Sequence, residues 1–172
     1  RENTNKNVSN KKPIFVFNKL KIHIKVMSVY SDLKNRCLKS NMEIKLNRLA
    51  IYTFGNVSII DRKRKVIAIK PSGIPYDSLT EDKIVILDLL GNIIEGDKRP
   101  SSDTKTHLYL YNAWKNINSI CHTHSTYAVG WSQSLYSIPV LGTTHADHLT
   151  REIPCTQPME DSLTKGDYEV NT

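Results

Sequence analysis

The sequence predicts a mixed α and β domain, an antiparallel sheet with helices flanking it. Short β-branched runs punctuated by Gly and Asp recur at Leu49–Thr53, Val57–Ile60, Lys65–Lys70 and Ile84–Leu87, and helix-length stretches lie on either side of them. Length agrees with this, since 172 residues with 39% hydrophobic content suit one domain with a core of its own.

Taken in order, residues 1–26 stand apart from the rest of the chain. They are rich in Asn and Lys and end in an alternation of Leu20, Ile22, Ile24 and Val26 with polar residues, a strand-like signal without a turn partner. The expectation is an extension outside the fold, with a domain over 27–172. A first helix is expected from Ser28 or Ser31, either of which suits a cap. Three strands come next, the third ended by Pro71-Ser72-Gly73. The stretch from Ser78 reads as a capped turn before the strand at Ile84–Leu87, and Gly91-Asn92 gives the next reversal. Thr104–Trp114 has helix length and places Leu108, Tyr111 and Ala113 or Trp114 roughly on one side; it delivers the chain to a strand that reaches His122, and Thr126–Ser134 reads as another helix.

Charge and cysteine content exclude several classes. The net charge is +7, but residues 1–26 carry +6 of it, so the remainder is nearly neutral and offers no clustered basic face for nucleic acid. The one exception, Arg62-Lys63-Arg64-Lys65, lies between two strand-like runs and reads as a solvated turn. No apolar run approaches the roughly 18 residues a spanning helix needs. Cys37, Cys121 and Cys155 are odd in number and scattered, which fits reduced thiols in a cytoplasmic protein and not a disulfide framework.

The chemistry concentrates around His122-Thr123-His124. In an extended strand, residues i and i+2 share a face, so the two imidazoles stand side by side and can fill adjacent corners of a metal's coordination sphere. Such a triplet alone also fits a pair of surface or core histidines. Its surroundings add weight: Ser101, Ser102 and Asp103 lie upstream and Gly142 to His148 downstream, together the material for a metal-assisted reaction on an oxygen-rich substrate.

Six blocks carry a resemblance. Gly55-Asn56-Val57-Ser58, Ile69-Lys70-Pro71-Ser72-Gly73, Arg99-Pro100-Ser101-Ser102-Asp103-Thr104, His122-Thr123-His124-Ser125, Gly142-Thr143-Thr144-His145-Ala146-Asp147 and Ile153-Pro154-Cys155-Thr156 occur in the order and approximate spacing of the class II aldolase/adducin family. Within it the chain resembles the L-ribulose-5-phosphate 4-epimerase branch from about Met27 onward. The resemblance implies a three-layer α/β/α domain with a largely antiparallel central sheet, incomplete at its C-terminus, because the family's third metal histidine and catalytic tyrosine fall beyond Thr172. It implies epimerisation of L-ribulose 5-phosphate to D-xylulose 5-phosphate by cleaving and remaking the C3–C4 bond.

Residue by residue, the resemblance makes His122, His124 and Asp103 the metal set for Zn2+ or another divalent transition metal. Asp147 would be the catalytic acid/base, acting from a neighbouring subunit of a homotetramer. Gly55, Asn56, Lys70, Ser72, Gly73, Ser101 and Ser102 would hold the phosphorylated ketopentose. Bare alternatives stand beside these roles: Asp103 also suits an N-cap, Lys70 an edge-strand lysine, Asp147 a surface turn, and His107, His145 and His148 core or supporting positions. In the aldolase branch the Asp103 position is usually Glu, so Asp favours the epimerase. The alternatives are a fuculose-phosphate aldolase-like enzyme, or a catalytically dead adducin-like binding module.

Overall fold

The structure, a computed structural model, describes residues 28–158; the extension expected over 1–26 lies outside them. The element order is α1 (Ser31–Leu46), β1 (Asn56–Asp61), β2 (Val66–Ile69), β3 (Val85–Asp88), β4 (Ile93–Glu95), α2 (Thr104–Ala113), β5 (Ser119–His122), α3 (Thr126–Gln133) and α4 (Gly142–His148), with two 3-10 turns at Tyr76–Ser78 and Glu81–Lys83. The five strands form one sheet in the order β4-β3-β2-β1-β5, every pairing antiparallel.

Period-2 alternation sends apolar side chains to both faces, which is why these strands read as short, largely apolar runs rich in Val and Ile. On one face Val57, Ile59, Val66, Ala68, Ile84 and Ile86 pack with Leu33, Cys37 and Ile44 of α1. On the other, Ile60, Ile67, Ile69, Val85 and Leu87 meet Leu108 and Tyr111 of α2. Helix, sheet, helix is the three-layer arrangement expected.

Several details depart from the sequence reading. Leu49–Thr53 is not a strand. Arg48 (φ 54°) and Tyr52 (φ 53°) both take left-handed backbone, which breaks an extended run, and Phe54 N–H closes a turn on the Ile51 carbonyl at 3.1 Å. Neither Ser28 nor Ser31 caps α1; their hydroxyls donate instead to Glu95 (2.5 Å) and Glu81 (2.5 Å). Strand β4 has no counterpart in the sequence reading, because its Ile93 and Ile94 are adjacent and half exposed, and no apolar alternation announces it.

Arg62 is not simply solvated. Its guanidinium donates to the carbonyls of Ile117 (2.7 Å), Trp114 (2.9 Å) and Tyr111 (3.4 Å), bracing the end of α2 against the β1–β2 turn. Among the described residues no helix is long and apolar enough to cross a membrane. All three cysteines are free thiols.

Candidate metal and substrate site

Three loops and the end of an edge strand converge on one side of the sheet. Residues Thr53 to Asn56 enter β1, Lys70 to Gly73 leave β2, Ser101 to Asp103 enter α2, and His122 and His124 stand at the end of β5; together they line a cavity of about 450 Å³. The two proline loops brace each other. Ser72 N–H donates to the Arg99 carbonyl (2.9 Å) and Ser101 N–H to the Lys70 carbonyl (3.1 Å), with Pro71 and Pro100 bridged between them. This cross-link is what brings Ser72, Gly73, Ser101 and Ser102, some thirty residues apart in sequence, to one wall.

Asn56 Nδ2 donates to Ser101 Oγ at 3.1 Å, and Asn56 and His122 are register partners in the β1–β5 ladder. Asp103 occupies the N-cap position of α2, yet its carboxylate makes no capping bond. It turns into the cavity, where Oδ2 accepts from His122 Nδ1 at 2.5 Å and from Asn56 Nδ2 at 2.5 Å. A carboxylate only accepts, so His122 carries a proton on Nδ1, and in the neutral ring the Nε2 lone pair is left open. The His122 and His124 rings lie 4.8 Å apart, centroid to centroid. Burial works to raise the Asp103 pKa, but the hydrogen bonds from His122 and Asn56 and the nearby imidazoles outweigh it, and the group titrates below the ordinary carboxylate range. The same bond raises the His122 pKa against the opposing effect of burial.

Lys70 is buried, 2% exposed, and lies in no edge strand, since β2 sits between β1 and β3. Its ammonium donates to the Thr53 carbonyl (3.0 Å) and the Pro71 carbonyl (3.5 Å) and rests 4.9 Å from the Tyr76 ring centroid. Burial lowers its pKa. An ammonium has three donors, and the two carbonyls take two of them. Asn56 is 3% exposed and its Oδ1 is buried without a partner. An orphaned acceptor beside a cavity wall is what a hydroxyl-bearing ligand would satisfy.

Gly55, Asn56, Lys70, Ser72, Gly73, Ser101, Ser102, Asp103, His122 and His124 are thus gathered in one cavity. Asp147 is not among its lining residues; it lies exposed on α4. Thr53, Phe54 and Pro71 also line the cavity, and Tyr76 supports it by donating to the Phe54 (2.9 Å) and Gly55 (3.0 Å) carbonyls. Pro71 belongs to one of the blocks legible in the sequence, whereas Thr53, Phe54 and Tyr76, which act through backbone placement and ring contacts, carry no such signal. A second cavity, about 430 Å³, lies across the Ser101–Ser102 loop; Leu87, Leu90 and Leu108 line it together with Arg99, Thr104 and Lys105, and it holds no imidazole.

His107 is a core residue. Its Nδ1 lies 2.8 Å from Ser58 Oγ, which in turn lies 2.8 Å from Tyr111 Oη, and Tyr111 donates to the Ser58 carbonyl at 2.9 Å. Burial, against the raising influence of Asp103, pushes the His107 pKa down to about 4. A group depressed in the folded state contributes stability that is present above its unfolded value, near 6.5, and lost as pH falls through 4. Between those values it removes up to about 3 kcal/mol. The lowered carboxylates act at more acidic pH, and the raised His122 loses its contribution only as pH rises above 6.5. Urea midpoints are therefore expected to fall between pH 6.5 and 4, and His107→Gln is expected to flatten that slope.

The donor chemistry can be tested against a divalent transition metal. Two imidazoles side by side, one with its outer nitrogen already held by a carboxylate, fit such an ion. Among the described residues, however, no group of three or more His, Cys, Asp or Glu side chains is gathered to hold one. The pair would supply two ligands, with Asp103 beside them.

Residues 35–168 match the family described as the class II aldolase and adducin N-terminal domain. Among solved structures, the chain is similar to an L-fuculose 1-phosphate aldolase, with 36% identity over 63% of this chain and 51% of the other and a TM-score of 0.61. An L-fuculose-1-phosphate aldolase from Thermus thermophilus is 21% identical over 81% of this chain and 70% of that one, with a TM-score of 0.61. A putative aldolase/epimerase/decarboxylase, YgbL from Escherichia coli, is 23% identical over 66% and 55%, with a TM-score of 0.58. At these lower identities the likeness is one of fold. The chain spans about half the length of the first of these solved structures.

Proposed function

Because the chain belongs to the class II aldolase and adducin family, we propose that it is a divalent-metal sugar-phosphate enzyme that cleaves and remakes a carbon–carbon bond beside a ketose carbonyl, and that its reaction is the epimerisation of L-ribulose 5-phosphate. His122 and His124 would hold the metal, which supplies Lewis acidity toward the negative charge that develops on the ketose oxygens. Ser72, Gly73, Ser101 and Ser102 would bind the phosphate through hydroxyls and backbone N–H groups without adding charge. Lys70 and Asn56 offer one donor and one acceptor to the sugar's oxygens.

The observation that carries the finer reading is the engagement of Asp103. An aldolase that releases its ketose-derived fragment must deliver a proton to carbon. An epimerase returns the same fragment to the other face of the aldehyde and needs none. A short carboxylate held by both His122 and Asn56 suits orientation of the imidazole better than proton delivery to carbon.

Asp147 would take the proton from the C4 oxygen and give it back, reaching the cavity of a second copy. The placement supports this. The segment carrying Asp147 exposes Tyr127 (86%), Tyr136 (69%) and Leu141 (63%), and neither α3 nor α4 has a buried residue, an apolar surface fitting a homo-oligomer such as a tetramer. The second reading, a fuculose-phosphate aldolase, is favoured by the 36% identity to that enzyme.

Incubation of the zinc-loaded protein with L-ribulose 5-phosphate in D2O separates the two. The epimerase reading expects D-xylulose 5-phosphate without deuterium on carbon and without free aldehyde. Free aldehyde from a sugar phosphate, with deuterium on the released ketose fragment, would overturn it in favour of the aldolase.

A further inference from the structure

We infer that Phe54 is a positioning residue for His124, fixing the imidazole whose ring no side chain of the described residues hydrogen-bonds. The inference rests on the metal reading proposed above. The two histidines are held by different means. His122 sits within the β5 ladder and its ring is tied to Asp103. His124 lies two residues past the last ladder position, and its backbone N–H reaches the Leu49 carbonyl at 2.8 Å. What meets its ring is aromatic: His122 on one side, and Phe54 stacked at 5.2 Å with 28° between planes.

The chain goes to some length to place that phenyl ring. Tyr52, in left-handed backbone at φ 53°, packs edge-on against Phe54 at 6.1 Å and 84°. The backbone is pinned on three sides, by Phe54 N–H on the Ile51 carbonyl, by the Tyr76 hydroxyl on the carbonyls of residues 54 and 55, and by Lys70 on that of Thr53. Phe54 is nonetheless 48% exposed, so core burial does not account for these constraints. A ring presenting its face to a histidine at a cavity wall does. Without it, His124 is free to rotate about χ1 and χ2, and its lone pair is no longer held for the ion it would share with His122.

The test uses Phe54→Leu, which keeps an apolar side chain but no flat face, and Phe54→Trp, which restores one. In the metal-free protein, the His124 ring protons, assigned by their loss in His124→Ala, are expected to shift downfield in the Leu variant as the ring current is removed, and to remain shielded in the Trp variant. By chelator competition, zinc is expected to bind the Leu variant about 10-fold more weakly and the Trp variant as the wild type does. Urea midpoints should match throughout, since the substituted side chain is 48% exposed. A Leu variant with unchanged His124 resonances, or with wild-type zinc affinity, overturns the inference. A wild-type protein that takes up no zinc overturns the metal reading itself, an outcome distinct from both.

Discussion

Replacing His122 with alanine is expected to abolish zinc retention and to cut turnover steeply while leaving the fold intact. His122 is half-buried at the end of an edge strand, and its backbone pairing with Asn56 does not depend on its side chain. The loss is therefore confined to the ring and to what the ring organises. Alanine leaves His124 as a lone imidazole donor of the pair and leaves the Asp103 carboxylate with Asn56 as its remaining partner at 2.5 Å. A single imidazole holds a divalent ion too weakly to orient a substrate on it, and kcat/KM should fall on the order of 10³-fold, about 4 kcal/mol of transition-state stabilisation. Far-ultraviolet circular dichroism should be unchanged. The milder Asp103→Asn, which keeps the shape but loses the charge that fixes the His122 tautomer, should cost about 10- to 100-fold in zinc affinity. Equal losses in the two variants would mean that Asp103 is as essential to the ion as the imidazole.

The second large effect is structural. Gly55 sits at φ 71°, and a Cβ there would meet the His122 carbonyl oxygen at 2.9 Å and the Ala50 Cβ at 3.0 Å. Backbone cannot step aside cheaply, because that carbonyl belongs to β5 and lies beside the β1 ladder. Left-handed backbone alone costs a non-glycine residue about 1–2 kcal/mol, and the collision adds a term of similar size. Gly55→Ala is thus expected to destabilise by about 2–4 kcal/mol, read as a lower urea midpoint at unchanged m-value, and to displace His122 from Asn56. Gly73→Ala is the comparison. Gly73 has nearly the same φ, 68°, but nothing lies within 4 Å of the added carbon, so the backbone cost of about 1 kcal/mol should stand alone. Equal midpoints for the two variants would show that the approach to β5 is not tight.

These two residues mark what the sequence made legible. Strands β1 to β3 were visible because both their faces are apolar, and α2 and α3 because their lengths suit helices. The order of the glycine, serine, aspartate and histidine blocks makes most of the cavity wall legible in the sequence. What stayed hidden depends on contacts between distant parts of the chain. Leu49–Thr53 reads as a strand from its composition, and only the left-handed backbone at Arg48 and Tyr52 turns it toward the site. Phe54 and His124 are seventy residues apart, and no local pattern predicts that their rings stack. Arg62 looked like part of a solvated basic turn because its partners are backbone carbonyls, which leave no trace in side-chain identity. Asp103 suits a helix cap in sequence; the cross-braced proline loops and the proximity of β5 give its carboxylate better partners than the helix N–H groups.

Equilibrium dialysis against zinc, comparing the wild-type protein with a His122→Ala, His124→Ala double variant of unchanged circular dichroism, decides whether the imidazole pair is a metal site. The wild type is expected to retain zinc and the double variant to retain none. Zinc retained equally by both, or by neither, would contradict the assignment.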